Sequence, residues 1–168
     1  MALPVLVFSE TNTVSVTVTD NITSIAFASI DNNSNVANLS INNPVAAGAN
    51  SFEKYLRMKV TTASTNTLSA FGVYVASGSI TDGGGGSNIT AKLGVNLTYA
   101  TPVATTSSVD TTTPSTTAPG TSFTAPANTV GSYSGYFGFQ MQVASGAQGG
   151  NATFPGSGSY LNVAYTYS

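Results

Sequence analysis

From Asn88 to Tyr99 the sequence alternates between apolar and polar residues. Ile89, Ala91, Leu93, Val95, Leu97 and Tyr99 fall to one side, and Asn88, Thr90, Lys92, Asn96 and Thr98 to the other. A period of two sends successive side chains to opposite faces of a strand, so the stretch has one dry face and one wet one. Twelve residues would span about 40 Å, long for one strand, and Gly94 is the expected place for a bend or bulge.

The same period recurs along the chain. Phe52–Ala76 reads as two strands joined by a short turn, FEKYLRMKVT and LSAFGVYVA around TASTNT. In the first of them Phe52, Leu56, Met58 and Val60 face the core, interrupted once by Lys54. Glu53, Tyr55, Arg57 and Lys59 face away. A helix over FEKYLRM fits the spacing of Phe52, Tyr55, Leu56 and Lys59, but the run continues into VTT, which suits a strand better. Further strands are expected over Thr13–Thr19, over Ile22–Ile30 with cover on both faces, weakly over Val36–Ile41, over Tyr133–Ala144 and over Tyr160–Tyr167. On Tyr133–Ala144 the core face is Tyr133, Phe137, Phe139, Met141 and Val143. Leu3–Phe8 reads as an edge strand or an arm. Asp20-Asn21, Asp31–Asn35 and Asn42-Asn43-Pro44 are turn or loop signals.

About eight or nine strands with no convincing helix predict an all-β fold, an antiparallel β-sandwich or barrel. A sandwich leaves jelly-roll and immunoglobulin-like topologies both open. The 168 residues suit a single domain, 1–168, with 1–12 as an N-terminal arm or edge strand. Residues 100–130 hold Pro102, Pro114, Pro119 and Pro126 among many Thr and Ser, and cannot fold alone. They are either a mucin-like linker or an extended loop laid over the domain. Val103, Val109 and Phe123 are spaced as anchors for the loop, and no large second domain follows.

Only 6% of residues are charged and the net charge is −2, so the composition does not point to nucleic acid. The surface must be covered by Ser, Thr, Asn and Gly, as on many extracellular and virion β-proteins. The apolar runs are too short for a transmembrane helix, and MALPVLVFSETNTV lacks the pattern of a secretory signal.

The chain has no Cys, so disulfides and thiol chemistry are excluded. With no His either, the usual serine and cysteine hydrolase triads and the common zinc sites go as well. Glu10, Asp20, Asp31, Glu53, Asp82 and Asp110 lie mostly in turn contexts and do not form a glycosidase pair. Asp31–Asn35 lacks the alternating acidic ligands of a calcium loop. The four glycines 83–86 have none of the context of a phosphate loop. No enzyme, cofactor or metal is expected. Six Asn-X-Ser/Thr sequons are what this composition gives by chance. Tyr55, Tyr74 and Tyr136 lie off the expected core faces and suit protein contacts more than sugar stacking.

Three stretches together carry a resemblance: NSFEKYLRMKVT (50–61), LTYATPVATTSSVDTTTPSTTAPG (97–120), and GYFGFQMQVASGAQGGNATF with YLNVAYTYS (135–168). They resemble small all-β virion structural proteins of tailed bacteriophages, of the decoration or cement kind. The resemblance covers roughly residues 50–168 and rests on composition, not on a catalytic signature. It implies a β-sandwich that binds the capsid exterior, with the Thr/Pro tract as an ordered strap.

The expected partners are therefore the major capsid protein or other virion subunits, together with a homo-oligomer of the chain. Nucleic acid and membrane are not expected. The expected location is the particle surface, after synthesis in the host cytoplasm. The expected contact residues are Tyr55, Arg57 and Lys59, with Leu3, Val5 and Val7 from the arm adding a strand to a neighbour. The alternatives are a module binding surface glycans or mediating adhesion, and a self-assembling extracellular filament or surface-layer subunit.

Overall fold

The computed structural model describes residues 3–12, 18–76, 89–105, 112–147, 153–154 and 160–167. Within them the chain is nearly all-β, as expected. It forms two antiparallel sheets packed as a sandwich, and a two-stranded piece beside them. The five-stranded sheet holds β1 (Val5–Thr11), β2 (Val18–Asp20), β4 (Lys54–Thr62), β6 (Ile89–Leu97) and β8 (Tyr136–Val143), in the order β2-β1-β4-β8-β6. The three-stranded sheet is β10-β5-β7, from Tyr160–Tyr167, Leu68–Ala76 and Thr121–Ser122. β3 (Ile25–Ala26) pairs with β9 (Thr153–Phe154).

The core forms where the dry faces of the two sheets meet. Leu56, Met58 and Val60 of β4, Phe137, Phe139 and Met141 of β8 and Leu93 of β6 pack against Leu68, Phe71, Val73 and Val75 of β5. Phe123, just after β7, stands between the sheets, 5.6 Å from the Phe71 ring and 5.0 Å from the Phe137 ring. Offset and edge contacts of this kind add to the burial of the rings.

Four expectations change. Phe52–Ala76 is not a hairpin: β4 is the middle strand of one sheet and β5 the middle strand of the other. Residues 63–67 therefore cross the sandwich rather than turn back along one sheet. Val36–Ile41 is not a strand, because its end forms a single helical turn, α1 (Leu39–Asn42), that buries Leu39. Within Ile22–Ile30 only Ile25–Ala26 pairs as a strand, although Ile22, Ile25, Phe27 and Ala28 are all buried. The kink in β6 falls at Asn96, not Gly94. The register slips between Val95 and Leu97, and Asn96 takes the extra place with φ of 54°. Asn tolerates that left-handed backbone better than most residues, and Asn96 Oδ1 also accepts from Thr124 N (2.7 Å) and Thr124 Oγ1 (2.8 Å).

Lys54 interrupts the dry side of β4 because it answers Glu10 on β1. Both are fully buried, with Nζ 3.1 Å from Oε1. Lys54 also donates to the carbonyl of Asn32. Glu10 further accepts from Asn12 Nδ2 (2.9 Å) and from Ser34 N–H (3.0 Å).

Residues 99–105 and 112–135 form a strap across both sheets. Val103 exchanges bonds with Glu53, N–H to Oε2 (3.2 Å) and C=O from the Glu53 N–H (3.1 Å). Thr112 bonds in both directions with Leu93 on the outer edge of β6. Ser115 C=O then accepts from Val75 N–H (2.8 Å), and β7 pairs with Gly72 and Val73 of β5. Phe123 is a buried anchor, whereas the Val103 side chain is exposed and that site is held through its backbone. Val109, residues 13–17 of the expected Thr13–Thr19 strand, the four glycines 83–86, Asp82 and Asp110 lie outside the described residues.

Candidate docking surface

The wet face of β4 is not uniformly wet. Tyr55 is only 3% exposed, which corrects its placement among surface aromatics. The cause is cover from outside the sheet. The Tyr99 ring lies 5.3 Å from that of Tyr55, and Tyr136 lies 6.1 Å away. Glu53 and Gln140, also on that face, are buried beneath the strap. Gln140 Nε2 donates to Ser51 C=O (3.2 Å), Val103 C=O (3.3 Å) and Thr105 C=O (2.9 Å). Alternation assigns a residue to a face, but it does not reveal that a non-strand segment lies over that face.

Further along β4 the face opens. Arg57 is half-buried, and its guanidinium carbon lies 3.7 Å from the centre of the Tyr133 ring and 4.7 Å from that of Tyr136. Tyr133 was expected on the dry side, but it bridges to Lys59 and so stands on the same face as the cations. The phase changes at Ser134-Gly135, which leave the strand pattern. Gly135 N–H bonds instead to Thr124 C=O (2.9 Å), and Ser134 N–H to Met58 C=O (2.9 Å).

Lys59 is paired with Asp20 of β2, whose other oxygen accepts from Ser9 Oγ (2.6 Å). Burial alone would raise the Asp20 pKa. The hydrogen bonds from Lys59 and Ser9, with the Lys59 and Arg57 charges, outweigh it and hold Asp20 below its ordinary 3.8. Donation to Asp20 in turn pushes Lys59 above its ordinary 10.5.

β1 extends this face toward the N-terminus. Val7 pairs with Lys59 and Ser9 with Arg57, so Val7 and Ser9 share the side that carries those cations. The register slips between Val5 and Leu6, and Val5, opposite Thr62, lines the groove beside the strand. Leu3 and Val5 are 59% and 49% exposed, while Val7 is half-buried. β1 pairs along its whole length with β4, but on its other side β2 covers only Ser9–Thr11. Among the described residues, Val5–Val7 is therefore an open strand edge. Beside it a groove of about 370 Å³ runs toward β10, with Val5, Leu6, Phe8, Met58, Leu161 and Val163 among its walls.

The structure thus brings Val7, Arg57 and Lys59 onto one face, leaves Val5 at the groove beside it, and sets Tyr55 apart as a buried support. Sequence reasoning missed Tyr133 and Tyr99. Among the described residues Glu10 and Asp31 both accept from Asn12 Nδ2 (2.9 and 3.4 Å), with Lys54 neutralising Glu10, while Asp20 serves Lys59 and Glu53 holds the strap. In the Asp31–Asn35 loop the Asn32 carbonyl is taken up by the Lys54 ammonium, and the Asn32 and Asn33 side chains cap their own turn at 2.8 and 2.7 Å. No group of three or more metal-ligating residues occurs among the described residues. No described helix is long and apolar enough to cross a membrane, which says nothing of strands. No protein-family model, no curated protein and no solved structure matches this chain.

Proposed function

We infer that the chain is a non-enzymatic structural protein that works by docking onto a larger surface. The reading that fits best is a bacteriophage capsid decoration or cement protein. The observation that carries the docking part is the continuous row on one sheet face. Val7, Lys59 and the Arg57–Tyr133–Tyr136 stack share one face of β1 and β4, and the open edge at Val5–Val7 borders it. Tyr and Arg beside apolar groups is the mixture that carries binding energy at protein interfaces. The virion part draws on the resemblance and on the low-charge, Ser/Thr/Asn/Gly surface. The strap supports it by spending the polar groups of the Thr/Pro tract on the sandwich's own edges.

Size-exclusion chromatography with light scattering on the purified protein, alone and mixed with undecorated capsids, tests this. A small soluble species that comigrates with capsids is the expected result, and the double variant Arg57→Glu/Lys59→Glu should bind more weakly. Polymerisation without capsids would move the reading to a filament subunit. A monomer that ignores capsids would move it to glycan binding.

A further inference from the structure

Among the described residues, Arg57 is the cation on this face that stands between aromatic walls without an ion pair of its own. Lys59 beside it is paired with Asp20, and Lys92 lies apart on β6 opposite Gln140. Arg57 has no carboxylate within ion-pair distance among the described residues, and its Nε is buried without a hydrogen-bond partner. Two tyrosine rings hold the group in place, at 3.7 and 4.7 Å. An arginine stacked in this way has already lost much of its side-chain freedom, so a partner that engages it pays little further ordering cost. The rings also exclude water and strengthen whatever charge contact is made there.

We propose that Arg57 is the specific anchor of the docking face and that it receives a carboxylate side chain from an acidic protein surface. A planar guanidinium matches a carboxylate through two parallel N–H···O bonds, which an ammonium cannot reproduce. The charge balance of the face favours this partner. Asp20 is in contact with Lys59 and reaches Arg57 only as a more distant charge, so Arg57 keeps no ion-pair partner of its own among the described residues. Val7, opposite Lys59, and the open edge at Val5–Val7 border the same contact and supply area, not specificity. This deepens the docking reading above and rests on it for the identity of the partner.

The test uses the full chain and a fluorescently labelled polyglutamate peptide, with binding followed by anisotropy at low ionic strength. Wild type should bind. Arg57→Gln should weaken binding about tenfold or more, the usual loss for a hydrogen bond to a charged group. Arg57→Lys should also weaken it, because the charge remains while the fork and the stack are lost. Lys92→Gln, on β6 and outside the stack, should bind as wild type does. Melting curves report whether the Arg57 variants are folded. In the unmodified protein, NMR titration with the peptide should move the Arg57 Nε–H and Tyr133 ring resonances first.

No peptide binding by wild type overturns the proposal. So does equal binding by Arg57→Gln, an equal loss in Lys92→Gln, or NMR shifts confined to other residues. Capsid binding separates this from the broader reading. Capsids retained by a protein that does not bind polyglutamate through Arg57 would sink the anchor and keep the decoration role. Arg57-dependent peptide binding without capsid binding would do the reverse.

Discussion

Two ion pairs on neighbouring strands show how differently the same chemistry acts in and out of water. Lys54 and Glu10 are both sealed in the sandwich. Their attraction has to offset the loss of hydration of two charges, and the extra bonds to Asn32 C=O and Ser34 N–H are what make the site tolerable. Lys54→Met leaves Glu10 buried without its counter-charge and should cost about 3–5 kcal/mol in chemical denaturation. Adding Glu10→Gln removes the orphan charge while keeping an acceptor for Ser34 N–H, so the double variant should be more stable than Lys54→Met alone. If the double variant were the less stable of the two, the burial account would fail. The Asp20–Lys59 pair is partly solvated and acts through pH. Asp20, with its pKa held low, contributes stability that is present above the ordinary 3.8 and lost as pH falls through its lowered value. Lys59, with its pKa raised, contributes stability that is present below 10.5 and lost as pH rises through its raised value. The melting temperature of Asp20→Asn should therefore lie below wild type near neutrality, and the gap should close as pH falls below the ordinary 3.8 and through the lowered value.

At the scale of elements, the strap and β5 approach so closely that only glycine fits between them. A Cβ on Gly72 would collide with the Pro119 carbonyl, and one on Gly120, at φ of 80°, with the Val73 carbonyl. Both obstacles are backbone, so no side-chain rotation relieves them. Gly72→Ala should destabilise the fold by about 1–3 kcal/mol, the usual cost of overpacking. The loss should be local first. In hydrogen exchange, the amides of Phe123 and Val75, which bond to Phe71 C=O and Ser115 C=O, should lose protection before those of β8. Uniform loss would mean that the strap is not a separate cooperative unit. The strands β4, β5, β6 and β8 were legible in the sequence because each buries one face, and alternation reports that directly. Their partners were not. The short 63–67 link looks like a turn whether it folds back or crosses to the second sheet, and only the whole core decides between these. The proposed docking face was half legible. Arg57 and Lys59 share a face as the alternation of β4 places them, Val7 joins them through its pairing with Lys59, and Val5 leaves them where the register slips. Tyr55 was lost to the cover from Tyr99, and Tyr133 was gained through the change of phase at Ser134-Gly135.

For the molecule as a whole, the two sides of the sandwich are treated unequally. On one side the strap closes both sheet edges, through Thr112 on β6 and through Ser115 and β7 on β5. On the other, β1 offers Val5–Val7 as an open edge among the described residues, with Leu3 and Val5 exposed beside it. An exposed strand edge invites pairing with another chain, and proteins commonly guard such edges with charge. Here the nearest charges, Lys59 and Asp20, neutralise each other. The residues that stabilise the fold and those of the proposed contact are thus different, and one variant can separate them. Leu3 and Val5 touch little of the core, so Leu3→Ser/Val5→Thr should change folding stability by no more than about 0.5 kcal/mol per site. The same change removes apolar area from the proposed contact and gives a docked strand less to cover. Capsid occupancy of this variant, measured at fixed protein concentration, should fall while its melting curve overlays wild type. Because a bound protein stabilises whatever it binds by mass action, the gain in particle melting temperature should fall in step with occupancy. Full occupancy with an unchanged melting curve would remove the open edge from the contact and leave Arg57 and its tyrosines to account for docking by themselves.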